Sequence, residues 1–259
     1  IGTFEVDDPV PCPQPRDGWG DLREVGLDRG LDLVLPDLSN GQPGAYTGGS
    51  VVARDLDGDG AVDLLFGRDA GIPSVHRNDG TGHFEPALPL PHPWGDDFLI
   101  TPSVAAVQLD DGPLEIVVAR LRFGSPGGTE VAVWELAPDW TLRQTIELDG
   151  DGHVAAFTSF DQDGDGDLDL VFGFVGPGSQ GLGPPVQRLT NDRGVLTGPS
   201  IWSDLDISTL ALASFDLDQD GAPELLITNS SREEFGGRCR LLDLATDPPL
   251  DSSRARGFD

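Results

Sequence analysis

The 259-residue sequence has no methionine, no lysine, one tyrosine and only two cysteines. Each scarcity excludes something. All sixteen cationic side chains are arginine, and they face 45 acids, for a formal charge of −29. A surface of that sign repels nucleic acid and anionic membranes, so neither is an expected partner. It suits cations, cationic partners or neutral glycans. Two cysteines are too few for a disulfide-dense scaffold. No apolar run reaches the roughly 20 residues of a membrane span, and no stretch reads as a signal peptide. Direct membrane insertion is therefore not expected. Without a methionine the expectation is a processed or trimmed product. Amphipathic helices are missing as well, because 35 Gly and 22 Pro punctuate the chain too often.

Acid is present in excess, and in a fixed pattern. Asp55-Leu56-Asp57-Gly58-Asp59-Gly60-Ala61-Val62-Asp63 follows D-x-D-x-D-G-x-x-[DE]. So do the nine residues from Asp161 to Asp169 and the nine from Asp216 to Glu224. Calcium takes 6–8 oxygens at roughly 2.3–2.6 Å. Carboxylates at positions 1, 3 and 5 of a tight turn converge on one point. These are Asp55, Asp57 and Asp59, then Asp161, Asp163 and Asp165, then Asp216, Asp218 and Asp220. The glycine at position 6 tolerates the positive φ of a sharp turn. Position 7 offers a backbone carbonyl at Ala61, Asp167 and Ala222, and position 9 closes the shell with Asp63, Asp169 and Glu224. An EF-hand closes at position 12 and lies between helices. Here the acid comes three residues earlier and the flanks alternate like strands, so the expectation is a calcium-stapled β-hairpin with about three structural Ca²⁺ ions in all. The alternative is a set of acidic, solvated turns without metal. Four carboxylates on so few residues repel one another without a cation.

The spacing reveals a repeat. Asp55 and Asp161 are 106 residues apart, and Asp161 and Asp216 are 55 apart. A copy with a changed loop lies midway, at Ser103 to Val118. Gly112 matches Gly60, Asp111 matches Asp59 and Glu115 matches Asp63, while positions 1 and 3 are Val107 and Leu109. No calcium is expected there. A period near 53 predicts four-stranded units, approximately 50–100, 101–152, 153–206 and 207–245, each a blade of a β-propeller. In the first unit the strands fall at about 50–54, 62–66, 73–77 and 83–88, with Asn78-Asp79-Gly80 as the turn between the third and fourth. The fold class is all-β, and 1–259 is read as a single propeller domain with its calcium loops between strands A and B.

Val51 to Gly67 and the turn His76-Arg77-Asn78-Asp79-Gly80-Thr81-Gly82-His83-Phe84 resemble the FG-GAP/VCBS repeats of β-propellers, found in integrin α-subunit heads and many secreted bacterial proteins. Asp21 to Leu27 is similar to the lead-in of the cartilage acidic protein branch. The resemblance covers roughly residues 20–245. It implies a calcium-binding propeller outside the cytoplasm: extracellular, at a cell surface or periplasmic. It implies no single task, because these repeats serve many.

The ends complicate the ring. Residues 1–8 parallel the fourth strand of the first unit, and the last unit has no clear fourth strand after about 238–243. An N-terminal strand closing the last blade would answer both and hide two edges. Cys12 and Cys239 would then lie near the seam, and a bridge between them would add about 4–5 kcal/mol in the chain-entropy model. The alternative is two thiols. Asp28-Arg29-Gly30, followed by Leu31 to Leu35, reads as a shrunken loop and strand of a short extra unit. Either a five-bladed ring or a piece of a six- or seven-bladed one fits.

In such a topology the metal loops share one face, and the B-to-C and D-to-A connections share the other. That second face gathers Trp94, Asp96, Asp97, Arg122, Phe123, Asp149, Asp151, His153, Phe174, Trp202, Asp204 and Arg232. Aromatic platforms beside polar groups suit glycan or peptide binding. The alternative is that each aromatic packs a blade rim, which is the reading for Trp19, Trp134 and Trp140. Catalysis has little support. The four histidines show no paired ligand spacing, the serines lack a nucleophile elbow, and His153 with Asp149 and Asp151 is the one combination that could form a general-base pair or a stray metal site. Three expectations follow: a binding or adhesion module for carbohydrate or surface protein, a structural subunit of a larger assembly, or a polysaccharide-active lyase or hydrolase.

Overall fold

The computed structural model describes residues 26–31, 50–67, 73–91, 99–122, 128–136, 140–150, 152–175, 185–201, 209–229, 239–246, 249–253 and 255–256. These form an all-β structure of four antiparallel sheets with four strands each, plus one 3₁₀ turn at Leu27–Arg29. Sheet one holds β1 (Val51–Arg54), β2 (Asp63–Phe66), β3 (Ser74–His76) and β4 (Leu88–Pro89). Sheet two holds β5 (Leu99–Val107), β6 (Glu115–Arg122), β7 (Gly128–Glu135) and β8 (Thr141–Leu148). Sheet three holds β9 (His153–Phe160), β10 (Asp169–Val175), β11 (Gln187–Asp192) and β12 (Val195–Ile201). Sheet four holds β13 (Thr209–Phe215), β14 (Glu224–Asn229), β15 (Arg240–Asp243) and β16 (Leu250–Asp251). In each the order along the sheet is the order along the chain, a simple meander. The first-to-second and third-to-fourth connections therefore lie at one end of a sheet, and the second-to-third connection at the other.

Strand burial explains why the sequence reads as repeated apolar runs. Inner strands are covered on both faces, so they carry no polar alternation. Along β6, Ile116 and Val118 face sheet one while Val117 and Ala119 face sheet three. Along β10, Leu170, Phe172 and Phe174 face sheet two, and Val171 faces sheet four. Three apolar clusters result, one between each successive pair of sheets. Trp134 is buried there and donates its indole N–H to the Pro91 carbonyl at 3.1 Å; Trp140 packs on the same cluster.

The sheets are joined by bonds between equivalent positions. The first strands β1, β5, β9 and β13 lie side by side. Val104 N donates to Ser50 Oγ at 2.9 Å, Ser103 Oγ to the Ala155 carbonyl at 3.2 Å, and Thr158 and Ser214 share a hydroxyl bond of 3.1 Å. Further out, Gln144 of β8 donates to the Leu196 carbonyl of β12 at 2.6 Å and accepts from Leu196 N at 3.1 Å. These pairs are 52 to 56 residues apart, one repeat length. The turn at 26–31 obeys the same rule. Phe84 N donates to the Arg29 carbonyl at 2.7 Å, and the Arg29 guanidinium reaches the Thr81 carbonyl at 3.2 Å.

One expectation about the ends changes. The last sheet has its own fourth strand, β16, pairing Leu250 with Asp243 and Asp251 with Leu242. Two residues are too short to carry an alternation, which is why the pattern does not announce them. The proposed closing strand at 1–8 lies outside the described residues. Cys239 is an exposed, free thiol, and its expected partner Cys12 lies outside the described residues. The second unit also begins earlier than 101, at Leu99.

The close approach of sheets three and four gives a test. A Cβ on Gly173 would fall 2.7 Å from Thr209 Cβ and 3.0 Å from its hydroxyl. Gly173→Ala is expected to lower stability by about 1–3 kcal/mol through overpacking. Urea denaturation reads this; an unchanged midpoint would mean that the two sheets do not meet here.

Candidate metal centre

Each acidic loop is a corner between the first and second strands of its sheet. Three groups of carboxylates have ligand atoms within 4.8 Å of one another: Asp55, Asp57 and Asp63; Asp161, Asp163 and Asp165; Asp216, Asp218 and Glu224. All-carboxylate donor sets of this kind have the chemistry of hard-cation sites. Each cluster has the geometry to hold a metal ion.

Backbone N–H groups shape the loops. The first aspartate clamps its own turn: Asp55 accepts from Gly58 N at 2.7 Å and Gly60 N at 2.9 Å. Asp161 repeats this with Gly164 and Gly166 at 2.8 and 3.0 Å. Asp216 accepts from Gly221 N at 3.1 Å. The fifth-position acids turn to position 7: Asp59, Asp165 and Asp220 accept from Ala61, Asp167 and Ala222 N at 2.7, 2.9 and 2.8 Å. Asp59 and Asp220, and in the second loop Asp169, lie outside the tight carboxylate groups, while Asp165, with the same bond, belongs to its own. Asp167 adds a role the sequence did not announce. Its carboxylate accepts from Arg193 N at 2.7 Å, in the β11–β12 turn.

Position 9 is the anchor. Asp63, Glu115, Asp169 and Glu224 are the first residues of β2, β6, β10 and β14, and all are buried. One oxygen of each accepts from a loop N–H: from the loop's second residue at Leu56 (3.0 Å), Gln162 (3.3 Å) and Leu217 (2.7 Å), and from Leu109, the third by the repeat alignment, at 3.0 Å, so the sheet-two loop is drawn tighter by one residue. The other oxygen holds something different in alternate sheets. Asp63 accepts from Asn78 N and Asp169 from Asn191 N, both at 2.8 Å. Glu115 accepts from the Arg143 guanidinium, and Glu224 lies 3.4 Å from Arg256 Nη2. The longer glutamate reaches an arginine where the shorter aspartate reaches a backbone N–H.

Burial pushes the carboxyls of Glu115 and Asp169 up, with backbone N–H bonds from Leu109 and Asn191 respectively opposing it. Arg143 and Arg256 act the other way, holding Asp110 and Asp218 below the ordinary carboxylate value. In the changed corner of sheet two, Arg143 Nη2 meets Asp110 Oδ2 at 2.6 Å while Nη1 meets Glu115. A guanidinium there lies between two acids of a loop without the first and third aspartates.

Position 4 shows a constraint missed in the sequence. Gly58 and Gly164 have φ of 80° and 78°, and Gln219 takes the same left-handed region at 61°. The requirement is conformational, since added Cβ atoms at these glycines meet nothing within 4 Å.

The opposite ends of the sheets hold fewer of the expected ligand residues. Phe174 is a correction: it is fully buried between sheets two and three, because β10 runs to Val175 and the alternation that places Leu170 and Phe172 on that face places Phe174 there as well. Asp149 is exposed, with its N–H and carbonyl both held by the buried Gln187 side chain at 2.8 and 2.5 Å. Arg122 and His153 lie at strand ends, paired with Gly128 and Val175. Trp94, Asp96, Asp97, Phe123, Asp151, Trp202, Asp204 and Arg232 lie outside the described residues. Nearby, Arg120 and Glu130 form a buried ion pair that strand patterning does not predict.

Glu115→Ala is expected to cost about 1–3 kcal/mol, since it strands the buried Leu109 N–H, while Arg143 keeps Asp110 as its partner. Gly60→Ala is expected to cost about 1–2 kcal/mol through its left-handed backbone. Guanidinium denaturation of both variants checks the two costs.

No protein-family model matches the chain, and no curated protein matches it, so the metal assignment rests on the loops themselves.

Proposed function

We propose that this chain is a calcium-stabilised β-propeller, acting outside the cytoplasm as a binding module for carbohydrate or a surface protein. The observation that carries the reading is the recurrence of one corner. Three acid-rich loops occupy the same place in their sheets, and each gathers three carboxylates within 4.8 Å. Successive sheets are linked at one repeat length, which supports reading them as consecutive blades. Calcium is favoured over a softer ion because the donors are carboxylate oxygens, with no thiol or imidazole among the three clusters.

The ions are structural. Asp55, Asp57, Asp63, Asp161, Asp163, Asp165, Asp216, Asp218 and Glu224 would hold them, neutralise the corners and fix the hairpins. A rigid metal-bearing end leaves the opposite loops to present a shaped surface. The resemblance to FG-GAP/VCBS repeats supports the same division of labour.

Calcium at ten times its dissociation constant is expected to add about 1.4 kcal/mol per site. For a domain of this size each kcal/mol raises Tm by about 2–4 °C. Asp161→Ala is expected to remove about a third of the calcium-dependent gain. Differential scanning calorimetry with and without chelator tests this, and an unchanged Tm would remove calcium from the account. A glycan array of the calcium-loaded protein tests the ligand. Saturable, chelator-sensitive binding supports a carbohydrate module, and a blank array with an intact fold points to a protein partner.

A further inference from the structure

The third acidic loop already contains a cation, supplied by the chain itself. Arg256 Nη2 donates to Asp218 Oδ2 at 2.5 Å and lies 3.4 Å from Glu224 Oε1. Those are two of the three carboxylates of that cluster. Sheet two shows the same device carried further: Arg143 bridges Asp110 and Glu115 in the loop that has lost its first and third acids. In the first loop Arg77 Nε comes only to 3.6 Å of Asp57. In the second, among the described residues, no arginine is ion-paired with Asp161, Asp163 or Asp165. The guanidinium that reaches the second loop, Arg188, bonds the Gln162 side chain rather than those three acids, so the four corners form a series from an acidic cluster with no ion-paired guanidinium to a guanidinium with two acids.

We propose that Arg256 is a tethered cation competing with a divalent ion for the third loop, so that loading this loop releases Arg256 from Asp218 and Glu224. The proposal rests on the calcium reading of the loops. The local fold permits the exchange. Ser252 and Ser253 stay pinned to sheet four, through Ser252 N to the Leu241 carbonyl and Leu241 N to Ser253 Oγ, both 2.9 Å. Beyond them, among the described residues, Arg256 has one backbone bond to give up, its N–H to the Ser252 carbonyl at 3.1 Å. The arginine contact is half-exposed, with side-chain exposures of 30% and 37% for Arg256 and Asp218. Ion pairs of that kind weigh up to about five-fold in an equilibrium, enough to weaken a site without closing it. The third loop thus becomes the exchangeable site, and the second the permanent one.

The test is a calorimetric calcium titration of the full chain, wild type against Arg256→Gln. Asp216→Asn identifies which event belongs to the third loop. The expected wild-type result is two tighter sites and one weaker. Arg256→Gln is expected to tighten the weaker event by about three-fold to five-fold and leave the others unchanged. A second readout is trypsin cleavage after Arg256, followed by mass spectrometry. Calcium is expected to accelerate that cleavage by a few-fold, the opposite of its effect on a loop it merely stiffens. Calcium bound equally at three sites, unchanged by Arg256→Gln, would overturn the competition and leave the metal reading standing. A wild-type chain that binds no calcium would fail the metal reading, and the competition would fall with it.

Discussion

A buried carboxylate must find partners or it destabilises the fold, and this chain places one at the same corner of all four sheets. Asp63, Glu115, Asp169 and Glu224 each begin a second strand and accept a loop N–H. The loop is thereby folded back over the strand that follows it. The remaining oxygen reaches the end of the third strand in sheet three, at Asn191, and the connection just after it in sheet one, at Asn78. One side chain thus ties three strands together. The corner also reaches its neighbour: Asn191, held by Asp169, donates its side-chain amide to the Leu109 carbonyl of sheet two at 2.6 Å.

This arrangement makes sense of the composition. Acids are concentrated where they shape turns, and the cations that meet them are arginines. Arg143 serves two acids with two nitrogens, which the planar guanidinium fork allows and a lysine does not. The three acid-rich corners and the arginine corner solve the same electrostatic problem. In the proposed calcium form an ion neutralises three of them, and the chain itself neutralises the fourth.

Much of this was legible in the sequence because spacing is written directly into it. The loops, the repeat near 53 residues and the inner strands follow from patterns with fixed periods. The equivalence of Glu115 to Asp63 was visible from alignment of the repeats alone, and each accepts a loop N–H at 3.0 Å, from Leu109 and Leu56; that the donors differ by one loop position was not visible. What escaped depends on contacts between distant positions or on very short elements. Arg143 and Arg256 meet their acids from 28 and 32 residues away, with no motif to mark them. β16 has two residues. Phe174 was placed in the connection after the second strand, yet β10 runs on to Val175 past Gly173.

The most direct test is a crystal structure of calcium-grown protein with anomalous scattering recorded for the ion. The account predicts anomalous peaks beside Asp161, Asp163 and Asp165 and beside Asp55, Asp57 and Asp63, with Arg143 still seated between Asp110 and Glu115. An empty Asp161 loop, or a calcium ion displacing Arg143 from the second corner, would contradict it.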